Sequence, residues 1–180
     1  MELKETKLSG KHVYTGPVFT VTSDTVRLPD GKESRRDLVH SNGGVVILPV
    51  DGEGNVTLVR QYRYAHGRVL LEAPAGKLEK GEEPYSAALR ELEEETGYTA
   101  KAWTYLGAIA TSPGFLTEQL YLYMARDLTA GAQHLDDGEF LETVRMPLAE
   151  AAARAADGRI DDGKTVAAVL RAAHRLETEK

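Results

Sequence analysis

The order of its secondary-structure signals predicts an α+β protein, an α/β/α sandwich around a mixed sheet with a small antiparallel sheet at the N-terminus. Three observations lead there. Short runs rich in Val, Thr, Tyr and Phe dominate the chain up to Ala73, one helix-like stretch interrupts the strands, and the alanine-rich C-terminal part has helical spacing. At 180 residues the chain can fill one full core with a small appendage.

The run 12–28 is broken near Gly16-Pro17 and reads as two strands. Pro29-Asp30-Gly31-Lys32 is a turn, and a third strand covers 34–40. These strands are too few to be stable alone, so the division expected is an N-terminal strand piece, 1–41, and a main domain, 42–180. The apolar run 45–50, the turn Asp51-Gly52-Glu53-Gly54 and the run 56–64 predict a hairpin opening the main domain. A strand at 69–73 leads into a loop at Ala75-Gly76 and then a helix. Strands at 102–110 and 119–125 flank Thr111-Ser112-Pro113-Gly114-Phe115, a last strand covers 139–146, and helices cover 148–156 and 163–176.

Composition narrows the function classes. Hydrophobic and charged contents of 42% and 28% suit a globular protein, and no apolar run nears the roughly 18 residues of a membrane span. The opening MELKETKLSGK has no apolar segment to serve as a secretory signal, so the cytoplasm is the expected compartment, and the lack of cysteine excludes disulfides without bearing on compartment. A net charge of -6 argues against a broad nucleic-acid surface.

The most informative stretch is GKLEKGEEPYSAALRELEEETGY, from Gly76 to Tyr98. Pro84 suits a first helical turn, Ala87, Ala88 and Leu92 follow at helical spacing, and Gly97 is a stop. Glu82 and Glu83 complement the positive end of the helix dipole. Glu91, Glu93, Glu94 and Glu95 oppose its negative end and repel one another by about 0.2–0.5 kcal/mol per pair. Glu91, Glu94 and Glu95 point to one side at about 3.6 residues per turn, and a hard divalent cation would remove their repulsion. A solvated acidic face is the plainer reading of the same charges.

The fixed frame of the stretch favours the metal site over the solvated face. Gly76, Glu82, Arg90-Glu91-Leu92, Glu94-Glu95 and Gly97 resemble the Nudix box at every defined polar and glycine position, with Tyr98 standing where the family usually has an aliphatic residue. The resemblance implies Glu91 and Glu95 as main metal ligands, Glu94 as a third carboxylate, Arg90 orienting the glutamates, Glu82 bracing the loop or meeting metal through water, and the Ala75 carbonyl as a further ligand. Four segments resemble the ADP-ribose pyrophosphatase branch: Pro113, fifteen residues beyond the box; Val59-Arg60-Gln61-Tyr62-Arg63-Tyr64; Leu71-Glu72-Ala73-Pro74-Ala75-Gly76; and Asp136-Asp137-Gly138-Glu139-Phe140-Leu141-Glu142.

That branch implies Arg63 at the diphosphate or ribose, where a guanidinium fork suits paired oxygens. It also implies Glu139 as catalytic or metal-binding glutamate, with Asp137 and Glu142 in reserve, and Ser112 and Glu118 near the terminal ribose. Each has a plainer alternative. Pro113-Gly114 is an ordinary turn, Arg60 and Arg63 can be an exposed strand face, and Glu139 can sit in a solvated acidic loop. Tyr62, Tyr64 and Phe19 could stack on a base, though aromatic strand residues are more often core, and His134 is read as structural.

The chemistry implied is hydrolysis of ADP-ribose to AMP and ribose 5-phosphate with two or three Mg2+ or Mn2+ ions held by Glu91, Glu95 and Glu139, by a homodimer exchanging its N-terminal strands. GDP-mannose or another nucleotide sugar is the rival substrate. NADH is disfavoured, since no Gln-Pro-Trp-Pro-Phe-Pro run follows the box. A catalytically silent nucleotide sensor is the rival of a different class, though every box carboxylate is kept.

Overall fold

The computed structural model describes residues 2–179. They fall into two compact units: the segment up to Gly43 with Ala110–Gln119, and Gly44–Ile109 with the segment from Leu120 onward.

The first unit is a three-stranded antiparallel sheet of β1 (Thr6–Thr15), β2 (Thr20–Arg27) and β3 (Glu33–His40), in that order. Every residue of β1 is exposed. The segment 110–119 joins through a bridge between Val39 and Leu116 and through Thr117 N–H donating to the Val39 carbonyl at 3.0 Å.

The second unit holds two sheets and three helices. The mixed sheet runs in the order β7 (Ala75–Lys77), β4 (Gly44–Pro49), β9 (Gln119–Ala130), β8 (Tyr98–Ala110), with β4 parallel to β9. The other has the order β10 (Leu141–Pro147), β5 (Asn55–Arg63), β6 (Arg68–Glu72), all antiparallel. β4 is buried throughout because both of its faces are covered. Val45 and Ile47 face one way, into a core shared with Ala87, Ala88 and Leu92 of α1 (Pro84–Thr96). Val46 and Leu48 face the other way, into the larger core with Val56 and Leu58 of β5, Ala151 of α2 (Leu148–Ala156) and Ala168, Val169 and Ala172 of α3 (Gly163–Thr178). Each Val, Leu or Ile buried there contributes about 1.5–3 kcal/mol. This is the α/β/α sandwich expected.

Two expectations are corrected. The turn at Asp51–Gly54 does not make a hairpin of β4 and β5, which share one bridge, Val50 to Val56, and then enter different sheets. The reason lies in their side chains: β4 is apolar on both faces and needs cover on both, whereas β5 ends in exposed Arg60 and Tyr62. The stretch read as a loop at Ala75-Gly76 is the short strand β7, paired with Val46, Val45 and Gly44. Its three residues carry no strand pattern of their own. No helix among the described residues is long and apolar enough to cross a membrane.

Candidate active site

Three elements of the second unit converge here: the C-terminal half of α1, the turn into β7, and one face of the sheet β10-β5-β6. α1 begins at Pro84, whose missing N–H is not needed in a first turn, and ends at Gly97, left-handed at φ 71°, with its N–H on the Glu93 carbonyl at 2.8 Å. Its buried stripe is Ala87, Ala88, Leu92 and then Glu95, so the last helical turn carries a carboxylate into an apolar position.

Arg90 answers Glu91 and Glu94 of the helix and Glu82 before it. Nη1 donates to Glu91 at 2.7 Å and to Glu94 at 2.9 Å, while Nε and Nη2 donate to Glu82 at 3.2 Å. Burial works against the guanidinium, but these three carboxylates hold its pKa above the ordinary value. Glu82, also taking the Glu79 N–H, is kept below the usual carboxylate range. Thus Glu82 braces the loop before the helix and Arg90 orients Glu91 and Glu94.

Glu95 is left over. Its side chain is 3% exposed, it accepts the Ala75 N–H at 3.1 Å, and among the described residues no Lys or Arg is bonded to it. Burial, then the charges of Glu139 and Glu91, push its pKa up to about 8. Glu91 is also raised, chiefly by burial, with Arg90 pulling the other way. Gly76 shows how close the packing is: a Cβ there would lie 1.8 Å from the Glu91 carboxyl carbon, so no larger residue leaves the glutamate its place.

β5 supplies the rest. Successive strand residues alternate faces, and Glu72 lies opposite Val59, hence on the face of Gln61 and Arg63. Arg63 donates Nε and Nη2 to the two oxygens of Glu72, both at 2.7 Å, and Gln61 Nε2 donates to Glu139 at 3.2 Å. The charge of Arg63 is felt at Glu95. The opposite face holds Arg60, which pairs with Glu142 at 3.1 Å beside an open cavity of about 480 Å³ that Tyr62, Val69, Leu135 and Phe140 also line.

The structure therefore brings together Arg90, Glu91, Glu94, Glu95, Ala75, Glu139 and Arg63, and sets Arg60 and Glu142 on the other side of the sheet. Ser112 and Glu118 belong to the first unit, where Glu118 accepts from Thr111 Oγ1 at 2.9 Å. The expectation that the aromatic strand residues are core is corrected: Phe19, Tyr62 and Tyr64 are all exposed. Sequence reasoning missed the partners of Arg63, namely Glu72 and, behind it, Lys164. The one available signal was Glu72 itself, a lone acid ending an apolar strand.

As they stand, no three acidic or histidine side chains among the described residues are placed to hold one ion, Glu91 and Glu94 being turned toward Arg90. The donor set nevertheless fits a hard divalent cation. Its members are carboxylate oxygens at a partly buried site, and the buried, uncompensated Glu95 is the deficit that a cation removes.

Comparison with known proteins agrees. Residues 40–169 match the NUDIX domain and residues 5–39 match the nucleoside diphosphate sugar hydrolase N-terminal domain. The chain is 40% identical over 182 residues to the ADP-ribose pyrophosphatase of Bacillus subtilis, covering 99% of this chain and 98% of that one. It is 37% identical over 164 residues to the GDP-mannose pyrophosphatase of Yersinia pestis, covering 86% and 80%. A solved structure described as an ADP compounds hydrolase superposes with a TM-score of 0.86 at 25% identity, covering 99% of this chain and 98% of that one. With its box built as the geometry above describes and its Nudix domain preceded by this N-terminal domain, the chain belongs to the Nudix family of hydrolases.

Proposed function

We propose that this protein hydrolyses the diphosphate bond of ADP-ribose to AMP and ribose 5-phosphate in the cytoplasm, using Mg2+, with Mn2+ able to substitute. The observation that carries the reading is Glu95: a carboxylate 3% exposed, with no basic side chain bonded to it among the described residues, at the end of a helix whose Arg90 binds Glu82, Glu91 and Glu94 instead. The resemblance to an ADP-ribose pyrophosphatase over nearly the whole chain supports the substrate.

Glu91, Glu95, Glu94, Glu139 and the Ala75 carbonyl are the residues to hold the ions. Bound divalent cations would neutralise the phosphate oxygens and acidify the attacking water. The chain's own groups do the rest. Arg90 keeps Glu91 and Glu94 in place; Arg63 offers the edge of its guanidinium that Glu72 does not use to a diphosphate oxygen; Gln61 holds Glu139, as base or ligand, at 3.2 Å. Ser112 and Glu118 are assigned to the sugar. No covalent intermediate with the protein is needed.

A homodimer is part of the same proposal, supported by the exposure of β1 along all ten of its residues; a monomer of full activity in light scattering would remove it. GDP-mannose is the rival substrate, favoured by the similarity to a GDP-mannose pyrophosphatase. The test is a panel of ADP-ribose, GDP-mannose, UDP-glucose, NADH and diadenosine polyphosphates with Mg2+, reading phosphate after phosphatase coupling, with and without chelator. Chelator-sensitive preference for ADP-ribose is expected. Preference for another nucleotide sugar would move the substrate and keep the chemistry, and turnover of none would make the protein a nucleotide sensor.

A further inference from the structure

Glu72 is 1% exposed and held from two sides. Arg63 occupies both of its oxygens through Nε and Nη2, so Nη1 is the edge turned away from this pair. From behind, Lys164 donates Nζ to Oε2 of Glu72 and, at 3.0 Å, to Asp162. Lys164 is itself immobilised. It stands in the first turn of α3, whose N-cap Asp162 accepts from the Thr165 N–H at 3.0 Å and from the Thr165 hydroxyl at 2.5 Å. The same hydroxyl accepts the N–H of Ala73 at 2.7 Å, and two residues on the Ala75 N–H reaches Glu95.

A carboxylate pressing its whole charge on Arg63 would neutralise the guanidinium and leave little attraction for an anion. Lys164 takes a share of that charge, and Asp162 balances Lys164 in turn. Arg63 is thereby gripped in orientation while keeping positive charge to offer. We propose that Lys164 is a positioning residue for diphosphate binding, acting through Glu72 to hold Arg63 with Nη1 presented to the substrate. This rests on the proposed function, in which Arg63 meets the diphosphate.

The test is steady-state kinetics on the nucleotide sugar that wild type turns over, with Mg2+, for Lys164→Met, Lys164→Arg, Arg63→Gln and the Lys164→Met/Arg63→Gln double variant. Lys164→Met is expected to raise KM about tenfold, the loss of one charge-assisted hydrogen bond, with kcat within about twofold. Lys164→Arg restores KM, because it returns a buried cation. In the Arg63→Gln background Lys164→Met changes KM by less than about twofold, since the effect runs through Arg63. An unchanged KM in Lys164→Met, or an equal rise with and without Arg63, overturns the proposal. Should Lys164→Met not fold, Lys164→Gln, which keeps a donor without the charge, takes its place.

If wild type turns over no nucleotide sugar, the proposed function fails and a second readout decides the positioning role. The Arg63 Nε–H is followed by 15N NMR hydrogen exchange. Protection in wild type and Lys164→Arg that is lost in Lys164→Met supports the role, and equal protection in all three overturns it.

Discussion

Two groups of buried charge lie within the same unit and are built on opposite plans. Around the end of α1, Glu82, Glu91 and Glu94 share one guanidinium, Arg90, while Glu95 and Glu139 have no Lys or Arg bonded to them among the described residues. Around Glu72, two carboxylates and two cations balance, with Arg63 and Lys164 against Glu72 and Asp162. Burial raises the cost of a charge in both places, yet only the balanced group settles its account internally. Glu72 stays below the usual carboxylate range although burial pushes it up, because Arg63 and Lys164 outweigh that push, while Glu95 rises to about 8. The imbalance around Glu95 is what the proposed cation would relieve, whereas the balance around Glu72 fixes the orientation of Arg63 without an ion from outside.

The sharpest way to break this contrast is to neutralise one carboxylate in each group. Glu95→Gln keeps the shape and removes the charge. Turnover with Mg2+ is expected to fall about a thousandfold, the scale of losing a main electrostatic contribution to the transition state, while the chelated protein unfolds at no lower temperature than wild type. Near-normal turnover in the phosphate-release assay would end the assignment of Glu95 as a metal ligand.

Glu72→Gln should lose stability, which Glu95→Gln does not, and raise KM as well, because Glu72 holds Arg63. Arg63, 38% exposed, would lose its carboxylate and Lys164 would keep only Asp162, a loss of about 1.5–3 kcal/mol, the scale of hydrogen bonds to a charged group. Urea unfolding of the metal-free protein should show that loss. A variant as stable as wild type would mean that the pairs around Glu72 are ornamental.

How much of this was legible beforehand follows from the distance over which each feature is encoded. All of the carboxylate site but Glu139 lies on one helix and the loop before it, so its spacing is written locally from Gly76 to Gly97, as are the Pro84 start and Gly97 stop of α1. α2 likewise follows a local apolar period. The Glu72 group joins residues 92 positions apart, and no spacing in a sequence announces that Lys164 meets Glu72. The parting of β4 and β5 was hidden for the same reason: a turn looks the same whether its strands stay paired or diverge, and the covering of β4 by β9 is decided elsewhere in the chain. Residues three apart on a strand, such as Arg60 and Arg63, fall on opposite faces, but that rule does not say which face meets the glutamates.

The contrast also predicts a pH dependence. In the unfolded chain Glu95 has the ordinary value of 4.5, and in the folded protein about 8. Between those values the folded state holds more protons, so the metal-free protein loses stability as pH rises through this window and no further above it. Glu91 is raised too and adds in the same direction. Glu72 and Glu82, both lowered, act with the opposite sign and only at acid pH, near and below 4.5. Melting in chelator should therefore show Tm falling by roughly 5 °C from pH 5 to pH 8, a few kcal/mol reduced by water entry and relaxation. Mg2+ should stabilise more at pH 8 than at pH 5, because it competes with the proton, and Glu95→Gln should flatten most of the slope. Equal stabilisation by Mg2+ at both pH values would contradict the charge deficit.

The smallest effect is expected at Arg60, and it tests the geometry most directly. Arg60 and Arg63 lie three residues apart on β5, and the family resemblance points to Arg63 as the partner for a diphosphate. Arg63 shares its face with Glu72, Gln61 and Glu139, whereas Arg60 turns to the exposed side and pairs with Glu142 across the strand. An exposed pair of this kind is worth about 0.2–1 kcal/mol. Arg60→Ala should therefore cost less than about 1 kcal/mol in urea unfolding. It should leave KM within about twofold, while Arg63→Ala raises KM by an order of magnitude or more, since a charge-assisted hydrogen bond to substrate is worth about 1.5–3 kcal/mol. Equal effects at the two arginines would mean that the substrate reaches both faces of the sheet, and that strand parity does not separate the chemistry from the surface.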